Sequence, residues 1–183
     1  MQQLKSASSL PSVFVITGAV GAGKTTILKK LLAALQEKQI PVAGFYSERL
    51  MQENETVGYD LVNAATKERI DFLRVAKEPS LRGVGKYAIN HPAFHWGERL
   101  LQEADHQVML VDEVGKLEIK GEGWGRALTE RIRKQENHLV LSFRKDLLDD
   151  LIHKFELTKA VVLDVETTPE KEIIDAVLAR LDD

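Results

Sequence analysis

A glycine-rich loop between a strand pattern and a helix pattern constrains this chain more than any other feature. The apolar run VFVIT at residues 13–17 leads into GAVGAGKTT at residues 18–26, and apolar side chains then recur at helical spacing. Glycines allow successive backbone N–H groups to point inward, and the N-terminus of the helix adds positive potential. The spacing GxxxxGKT in this context predicts a P-loop that holds a polyphosphate.

Each part of the loop has an expected contact. Lys24 would reach the β- and γ-phosphates, the Thr25 hydroxyl would bind Mg²⁺, and Thr26 would donate toward the α-phosphate. The residues predicted to bind nucleotide here are Gly18, Ala19, Val20, Gly21, Ala22, Gly23, Lys24, Thr25 and Thr26. The simpler interpretation is a glycine-rich turn that only begins a helix, but the strand, the spacing and the helix all favour phosphate binding.

A pair of carboxylates follows a second apolar run. In QVMLVDEVGKLE, residues 108–111 have a strand pattern that carries Asp112 to the carboxyl edge of the sheet, where open α/β sheets bind ligands. Asp112 is predicted to hold Mg²⁺ through water, and Glu113 to polarise a water for attack on the γ-phosphate. Because glutamates are usually exposed, a solvated Glu113 at the strand exit is the alternative.

The same segment also invites comparison with a GTPase. Its DEVG at residues 112–115 matches the DxxG by which GTPases sense the γ-phosphate. A GTPase would also need an asparagine-lysine-x-aspartate base reader after a later strand. The best candidate, FRKD at residues 143–146, lacks the asparagine. Guanine specificity is therefore unsupported, and weak base discrimination is expected.

Further polar residues are candidates for sensing or neutralising charge. Ser142, near the end of an apolar run, could lie between the two nucleotide motifs and sense the γ-phosphate, although a serine in a strand is commonly a packing residue. The cations that could neutralise transition-state charge as a finger residue are Lys116, Arg144, Arg82 and Lys86. Whether such a finger acts in cis or in trans is left open.

Composition narrows the class of protein. The chain of 183 residues contains no cysteine, which excludes disulfides, thiolate metal sites and a cysteine nucleophile. It has neither a secretory leader pattern nor an apolar run of membrane-spanning length, so cytoplasmic residence is the default expectation. A net charge of −3 gives no footprint for DNA or RNA binding, and a small-molecule partner is expected instead. The oligomeric state is left open.

Strand and helix patterns alternate along most of the chain. Such alternation predicts βαβ units around a mainly parallel sheet flanked by helices, which is an α/β P-loop fold in one domain over residues 1–183. The region from about residue 48 to residue 90 breaks the alternation. There residues 57–62 and 69–75, with a turn at 63–66, predict an inserted antiparallel β-hairpin.

Four segments together resemble one family. They are GAVGAGKTT, GFYSE at residues 44–48, RGVGKYAIN at 82–90 and LVDEVGKLE at 110–118, in the order found in the THEP-type, or cancer-related, nucleoside-triphosphatases. The resemblance implies a RecA-like P-loop NTPase that hydrolyses several nucleoside triphosphates with little base preference. By position it also implies a second nucleotide-contacting segment made of Val111, Asp112, Glu113, Val114, Gly115, Lys116, Leu117 and Glu118. The likeness is loose after Gly121, so it assigns no sensor residue there.

Mg²⁺-dependent hydrolysis of nucleoside triphosphates to diphosphate and phosphate is the resulting expectation, and two alternatives stay open. A kinase that phosphorylates a nucleoside or other small acceptor is suggested by Ser-Glu-Arg at residues 47–49, at the end of the second strand pattern. The arginines at 126, 131 and 133 would be its lid. A nucleotide-dependent switch acting on a nucleic-acid or protein partner would need a basic stripe or an aromatic platform, and aromatic residues are only 6% of the chain.

Overall fold

Strands and helices alternate along the chain as the sequence predicts. A computed structural model describes residues 12–76, 85–103 and 106–181. The strands are β1 (Val13–Gly18), β2 (Val42–Gln52), β3 (Glu55–Asn63), β4 (Arg69–Val75), β5 (Tyr87–Ile89), β6 (Val108–Val114), β7 (His138–Arg144) and β8 (Val161–Asp164). The helices are α1 (Lys24–Glu37), α2 (His91–Leu101), α3 (Lys116–Ile119), α4 (Gly125–Lys134), α5 (Leu148–Lys154) and α6 (Glu170–Ala179).

One sheet organises the described part of the chain. Its strand order is β5-β4-β3-β2-β6-β7-β1-β8. The neighbours from β2 through β6, β7 and β1 to β8 are parallel, whereas β3, β4 and β5 pair antiparallel. Parallel neighbours need crossover connections, which helices supply here. The predicted α/β class with a mainly parallel sheet is confirmed, and the carboxyl ends of β1, β6 and β7 lie along one edge.

Helices cover both faces of this sheet. On one face, α1 buries Leu28, Leu31 and Leu35 completely, because these leucines recur at helical spacing. Each fully buried leucine contributes about 2 kcal/mol through removal of apolar surface from water. α6 packs on the same face through Ile173 and Val177. A separate apolar cluster joins α2, α4 and α5 to the other face, so the edge with the strand ends stays open for a site.

The inserted region forms more strand than the sequence predicts. The expected hairpin is present, with β3 and β4 paired antiparallel. In addition, β2 continues well beyond its predicted end and pairs antiparallel with β3. The turn between them contains Glu53 and Asn54, whose φ angles of 49° and 65° suit a two-residue hairpin turn. The Glu-Asn pair is a weaker turn signal than Asn-Gly, and this explains why the first hairpin was not predicted.

Candidate active site

The glycine-rich loop joins β1 to α1 at the carboxyl edge of the sheet. Gly21 and Gly23 have φ angles of 79° and 98°, in the left-handed region that favours glycine. Gly23 is also the N-cap of α1, so the loop enters the helix through a conformation that a larger residue would adopt only with strain. The loop and the positive end of α1 therefore border one cleft.

The predicted loop residues differ in their surroundings. Those lining the cleft are Val20, Gly21, Gly23, Lys24, Thr25 and Thr26. Lys24 is buried, and its Nζ donates to the carbonyl oxygens of Gly18 at 3.0 Å and Ala19 at 2.9 Å. The Ala19 N–H donates to the Glu166 carboxylate at 2.9 Å, a partner that the sequence did not reveal. Gly18, Ala19 and Ala22 form the backbone of the loop without lining the cleft.

The carboxylate of Asp112 joins four elements of the fold. It is 1% exposed. Its Oδ2 accepts the Thr25 hydroxyl at 2.8 Å and the Ser47 N–H at 3.1 Å. Its Oδ1 accepts the Glu113 N–H at 3.0 Å and the Ser142 hydroxyl. The predicted meeting of the P-loop threonine and the strand-end aspartate is therefore present, and the two further partners come from β2 and β7.

A β-bulge sets the direction of Glu113. The predicted end of its strand at residue 111 is wrong, because β6 runs to Val114 and its pairing with β7 shifts between Val111 and Val114. Asp112 and Glu113 thus lie opposite the single residue Ser142. Glu113 has a φ of 58°, rare for a residue with a side chain. Bulges near sites re-aim side chains. Here Asp112 points into the protein while Glu113 opens to the cleft.

Glu113 combines solvent contact with a protein-rich environment. Its side chain is exposed, because it faces the cleft, yet the walls of the cleft surround it. Burial by these walls and then the nearby Asp112 carboxylate raise the pKa of Glu113 to about 7, against weaker opposing effects of Lys24, Arg144 and Arg49. A carboxyl group with this pKa exchanges a proton near neutral pH, which is what a general base requires.

Ser142 lies beneath the bulge. Its hydroxyl donates to Asp112 Oδ1 and also accepts the Glu113 N–H at 2.9 Å. Because the side chain is fully buried, it faces the carboxylate and the bulge rather than the cleft. The sequence offered two interpretations of Ser142, a γ-phosphate sensor and a packing residue. Neither includes the bridge that its hydroxyl forms between the Asp112 carboxylate and the Glu113 N–H.

The segment after Glu113 folds around a buried glutamate. Glu118 is 3% exposed, and its carboxylate accepts the N–H of Gly115 at 2.9 Å and of Trp124 at 3.1 Å. Burial raises the pKa of Glu118, and these two N–H groups oppose the shift. Members of the segment that line the cleft are Glu113, Gly115, Lys116, Leu117 and Glu118. The side chains of Val111 and Val114 are core residues and do not reach it.

The four candidates for a finger residue differ in their position relative to the cleft. Arg144 lines the cleft and donates to both carboxylate oxygens of Asp146, at 3.0 Å and 2.6 Å. Lys116 also lines the cleft and forms no ion pair within the described residues. Lys86 lies outside the cleft lining, with its Nζ 5.5 Å from the centroid of the Tyr87 ring. Arg82 lies outside the described residues.

The oxygen donors at this edge suit a hard divalent cation. The Thr25 hydroxyl and the Asp112 carboxylate are the donor types that Mg²⁺ prefers. No cluster of three or more acidic or histidine side chains capable of holding a metal occurs among residues 12–76, 85–103 and 106–181. A cation held by Thr25 and Asp112 would take its remaining ligands from phosphates and water. The donor set therefore fits the predicted metal site.

The amino-acid sequence matches a known protein family. Residues 13–178 match the model of a family described as NTPase, and a THEP1 nucleoside-triphosphatase of Thermotoga sp. (strain RQ2) is 31% identical over 154 residues, 81% of this chain and 83% of the relative. The chain belongs to the THEP-type nucleoside-triphosphatase family. The resemblance predicted from four sequence segments is thereby confirmed.

Other members of the THEP-type family have similar sequences and folds. The cancer-related nucleoside-triphosphatase homolog of Mus musculus is 30% identical over 128 residues, which cover 64% of this chain and 67% of that protein. The crystal structure of THEP1 from Aquifex aeolicus superimposes with a TM-score of 0.75 at 23% identity and covers 93% of this chain and 99% of that chain. At this identity the superposition establishes a shared fold.

The kinase hypothesis placed two sets of residues near the site. Of the Ser-Glu-Arg segment, Ser47 donates its N–H to Asp112, and Glu48 pairs with Lys29 at 2.6 Å. The lid interpretation is wrong for Arg131, which is 4% exposed and donates to the Leu101 carbonyl oxygen. The neighbouring arginines at positions 126 and 133 are exposed.

Proposed function

We propose that this member of the THEP-type family hydrolyses nucleoside triphosphates to nucleoside diphosphate and phosphate at the edge where β1 and β6 end, with Mg²⁺. The observation that carries the proposal is the link between the P-loop and the carboxylate pair: Thr25 Oγ1 donates to Asp112 at 2.8 Å, and Glu113 opens to the same cleft. Residues 1–183 are proposed to act as one domain.

The P-loop is proposed to bind the phosphates. Glycine-rich loops of this kind offer backbone N–H groups to an anion, and the N-terminus of α1 adds positive potential. The Lys24 ammonium already donates to two loop carbonyl oxygens, so it lies over the loop where it can take phosphate oxygens as acceptors. Thr26, exposed at the start of α1, is proposed to donate toward the α-phosphate.

Thr25 and Asp112 are proposed to position the metal ion. When bound, Mg²⁺ would neutralise the charge that develops on the β- and γ-phosphate oxygens. Thr25 would supply a hydroxyl oxygen directly, and Asp112 would act through water. The hydrogen bonds from Ser47 and Ser142 hold the Asp112 carboxylate in one orientation.

Glu113 is proposed to accept a proton from the attacking water. Its carboxylate opens to the cleft, and its pKa of about 7 leaves a substantial fraction ionised near neutral pH. The new bond joins the water oxygen to the γ-phosphorus, and the bond to the β,γ-bridging oxygen breaks. Lys116 and Arg144 line the cleft and are the described finger candidates that could neutralise charge in this step.

Low base specificity is proposed for the substrate. The FRKD segment lacks the asparagine of a guanine reader, and Asp146 is paired with Arg144.

Across the described ranges, no helix is both long and apolar enough to span a bilayer. Cytoplasmic residence, the expected lack of nucleic-acid binding and the switch hypothesis stay predictions.

The test is steady-state phosphate release from ATP, GTP, CTP and UTP with Mg²⁺. Wild-type protein should hydrolyse all of them at rates of similar order, and Lys24→Ala supplies the blank. Glu113→Gln should keep nucleotide binding but lose turnover by about 10²–10⁴-fold, the usual contribution of a general base. Glu172→Gln, an exposed glutamate on α6, is the matched control. Full hydrolysis by Glu113→Gln would exclude the assigned role.

A further inference from the structure

The cleft extends well beyond the P-loop. It has a volume of about 830 Å³, toward the upper end of ordinary ligand sites. At one end lie Lys24, Thr25 and Glu113. The rest is lined largely by apolar and aromatic side chains from the inserted strands and the helices that pack on them, among them Tyr59, Phe72, Tyr87, Phe94 and Trp124. An attacking water needs no such lining, so hydrolysis leaves this end of the cleft unexplained.

The strand order places the aromatic end beyond the γ-phosphate. The P-loop follows β1, and the contact from Thr25 to Asp112 runs toward β6. Past β6 the sheet continues with β2, β3, β4 and β5, the strands that carry Tyr59, Phe72 and Tyr87. If the γ-phosphate of a bound nucleoside triphosphate lies at Asp112 and Glu113, its base lies on the other side of the P-loop, away from β2 to β5. The aromatic residues therefore face the position of the group that attacks the γ-phosphate.

These rings form two groups in the apolar wall of the cleft. Tyr59 and Tyr87 contact edge to face with centroids 5.6 Å apart. Phe72 lies 5.6 Å from Phe94 and 5.2 Å from Trp124, centroid to centroid. Phe72 and Trp124 are buried behind the wall, whereas Tyr59, Tyr87 and Phe94 are partly exposed. Partly exposed rings held by buried ones suit stacking of a planar aromatic ligand.

Polar groups lie between this wall and the predicted γ-phosphate position. Arg49 lines the cleft, is exposed, and forms no ion pair with a described residue, in contrast to Arg69 and Arg74. Burial raises the pKa of the Tyr59 hydroxyl. Arg49 opposes this shift, whereas Tyr87 and Glu113 add to it, so these side chains are close enough to interact electrostatically. A ligand here would meet an aromatic surface at one end and a carboxylate at the other.

We propose that this end of the cleft binds a small aromatic alcohol of nucleoside type, whose hydroxyl accepts the γ-phosphoryl group in competition with water. A bond forms between the acceptor oxygen and the γ-phosphorus, the bond to the β,γ-bridging oxygen breaks, and the hydroxyl proton passes to the Glu113 carboxylate. The products are a phosphorylated acceptor and a nucleoside diphosphate. The proposal rests on the proposed hydrolytic site, since both use Glu113 and the P-loop.

The test uses ATP labelled in its γ-phosphate with adenosine, guanosine, cytidine, uridine and thymidine as probes. Labelled nucleoside phosphate and labelled free phosphate are measured in the same samples. Ribose, which has hydroxyls without a ring, and adenine, which has a ring without a sugar hydroxyl, should give no labelled acceptor. Phosphate release without phosphorylation of any nucleoside would overturn the acceptor proposal and leave the proposed hydrolysis intact. The absence of both labelled products would overturn both proposals.

A variant then locates the acceptor. Tyr87→Leu keeps an apolar side chain and removes the ring, so the ratio of phosphorylated nucleoside to free phosphate should fall by about tenfold, the value of one lost stacking contact. Tyr59→Leu should act in the same direction should Tyr87→Leu fold poorly. Met51→Leu, exposed on β2 away from the cleft, is the control and should keep the ratio. An unchanged ratio accompanied by a raised KM for ATP would assign the rings to the substrate's own base and overturn the proposal.

Discussion

Thr25 at the start of α1 and Asp112 near the end of β6 are 87 positions apart in the chain, yet the hydroxyl of one donates to the carboxylate of the other at 2.8 Å. The hydrogen bond commits the hydroxyl proton to Asp112. A lone pair of Thr25 Oγ1 consequently remains available to a cation. One contact thus joins the phosphate-binding loop to the carboxylate that is proposed to position the metal.

Thr25→Val should weaken the use of Mg²⁺. Valine keeps the shape of threonine but has no hydroxyl, so both the oxygen ligand and the hydrogen bond to Asp112 are lost. The Mg²⁺ concentration for half-maximal phosphate release should rise by about tenfold or more, in line with the loss of one charge-assisted hydrogen bond. Thr25→Ser, which keeps the hydroxyl, is the control. An unchanged Mg²⁺ titration of Thr25→Val would remove Thr25 from the metal site.

Ser142→Ala should lower turnover more than binding. The variant removes the donor to Asp112 Oδ1 and one acceptor of the Glu113 N–H, so both carboxylates lose a positioning contact. We expect kcat to fall by about tenfold and unfolding to become easier by about 1–2 kcal/mol, the usual cost of a buried hydrogen bond left unpaired. KM should stay nearly constant. A rise in KM with unchanged kcat would instead indicate direct contact with the nucleotide.

The P-loop and the Asp112-Glu113 pair could be predicted because their signals are local. Spacing, glycines and an adjacent apolar run specify the loop, and a strand that ends in two carboxylates specifies the other half. Parallel strands bring their carboxyl ends to one edge, so the meeting of Thr25 with Asp112 follows from topology. The inserted hairpin over residues 57–75 was also recognisable, since its apolar and polar residues nearly alternate.

The bulge and its partners could not be predicted, because they depend on register between strands. The roles of Ser47 and Ser142 depend on how β2 and β7 pair with β6. A shift of one position would move the Ser47 N–H, or turn the Ser142 side chain, away from Asp112. A positive φ at Glu113 has no sequence signal comparable to a glycine. The signal that could have located Ser47 is its place directly after the apolar run of β2, at the same sheet edge.

Arg131→Met should destabilise the fold without a specific effect on catalysis. The guanidinium is buried and donates to the carbonyl oxygens of Leu101 and Glu103 and to the Asn137 side chain. Loss of these donors leaves buried acceptors unpaired, and the cost should be about 2–4 kcal/mol by denaturant unfolding. Arg133→Met, exposed on the same helix, is the matched control. Equal stability with a large loss of turnover in Arg131→Met would restore a role at the site.

The rate of hydrolysis should follow the ionisation of Glu113. The pKa of about 7 arises from burial in the cleft and then the Asp112 carboxylate. Only the ionised form accepts a proton, so kcat/KM should fall by about tenfold for each pH unit below 7 and level off above it. The slow residual hydrolysis by Glu113→Gln should lack this fall of kcat/KM below pH 7. Comparison of the two pH profiles separates ionisation of Glu113 from ionisation of the nucleotide. The same fall in both proteins would show that Glu113 is not the titrating group.

Ionisation of Glu113 should also make the stability of the protein depend on pH, in the direction opposite to the rate of hydrolysis. Because the folded state raises the pKa of Glu113 from 4.5 to about 7, it binds this proton more tightly than the unfolded state, and stability is lost as pH rises through that range. Glu113→Gln removes the ionisation. Since the side chain opens to solvent, we expect a gain of about 1 kcal/mol, or about 2–4 °C in Tm, at pH 8. Wild type and variant should have the same stability near pH 4, below the unfolded pKa, and Glu172→Gln should follow wild type at both pH values. A variant less stable than wild type at pH 8 would contradict the raised pKa.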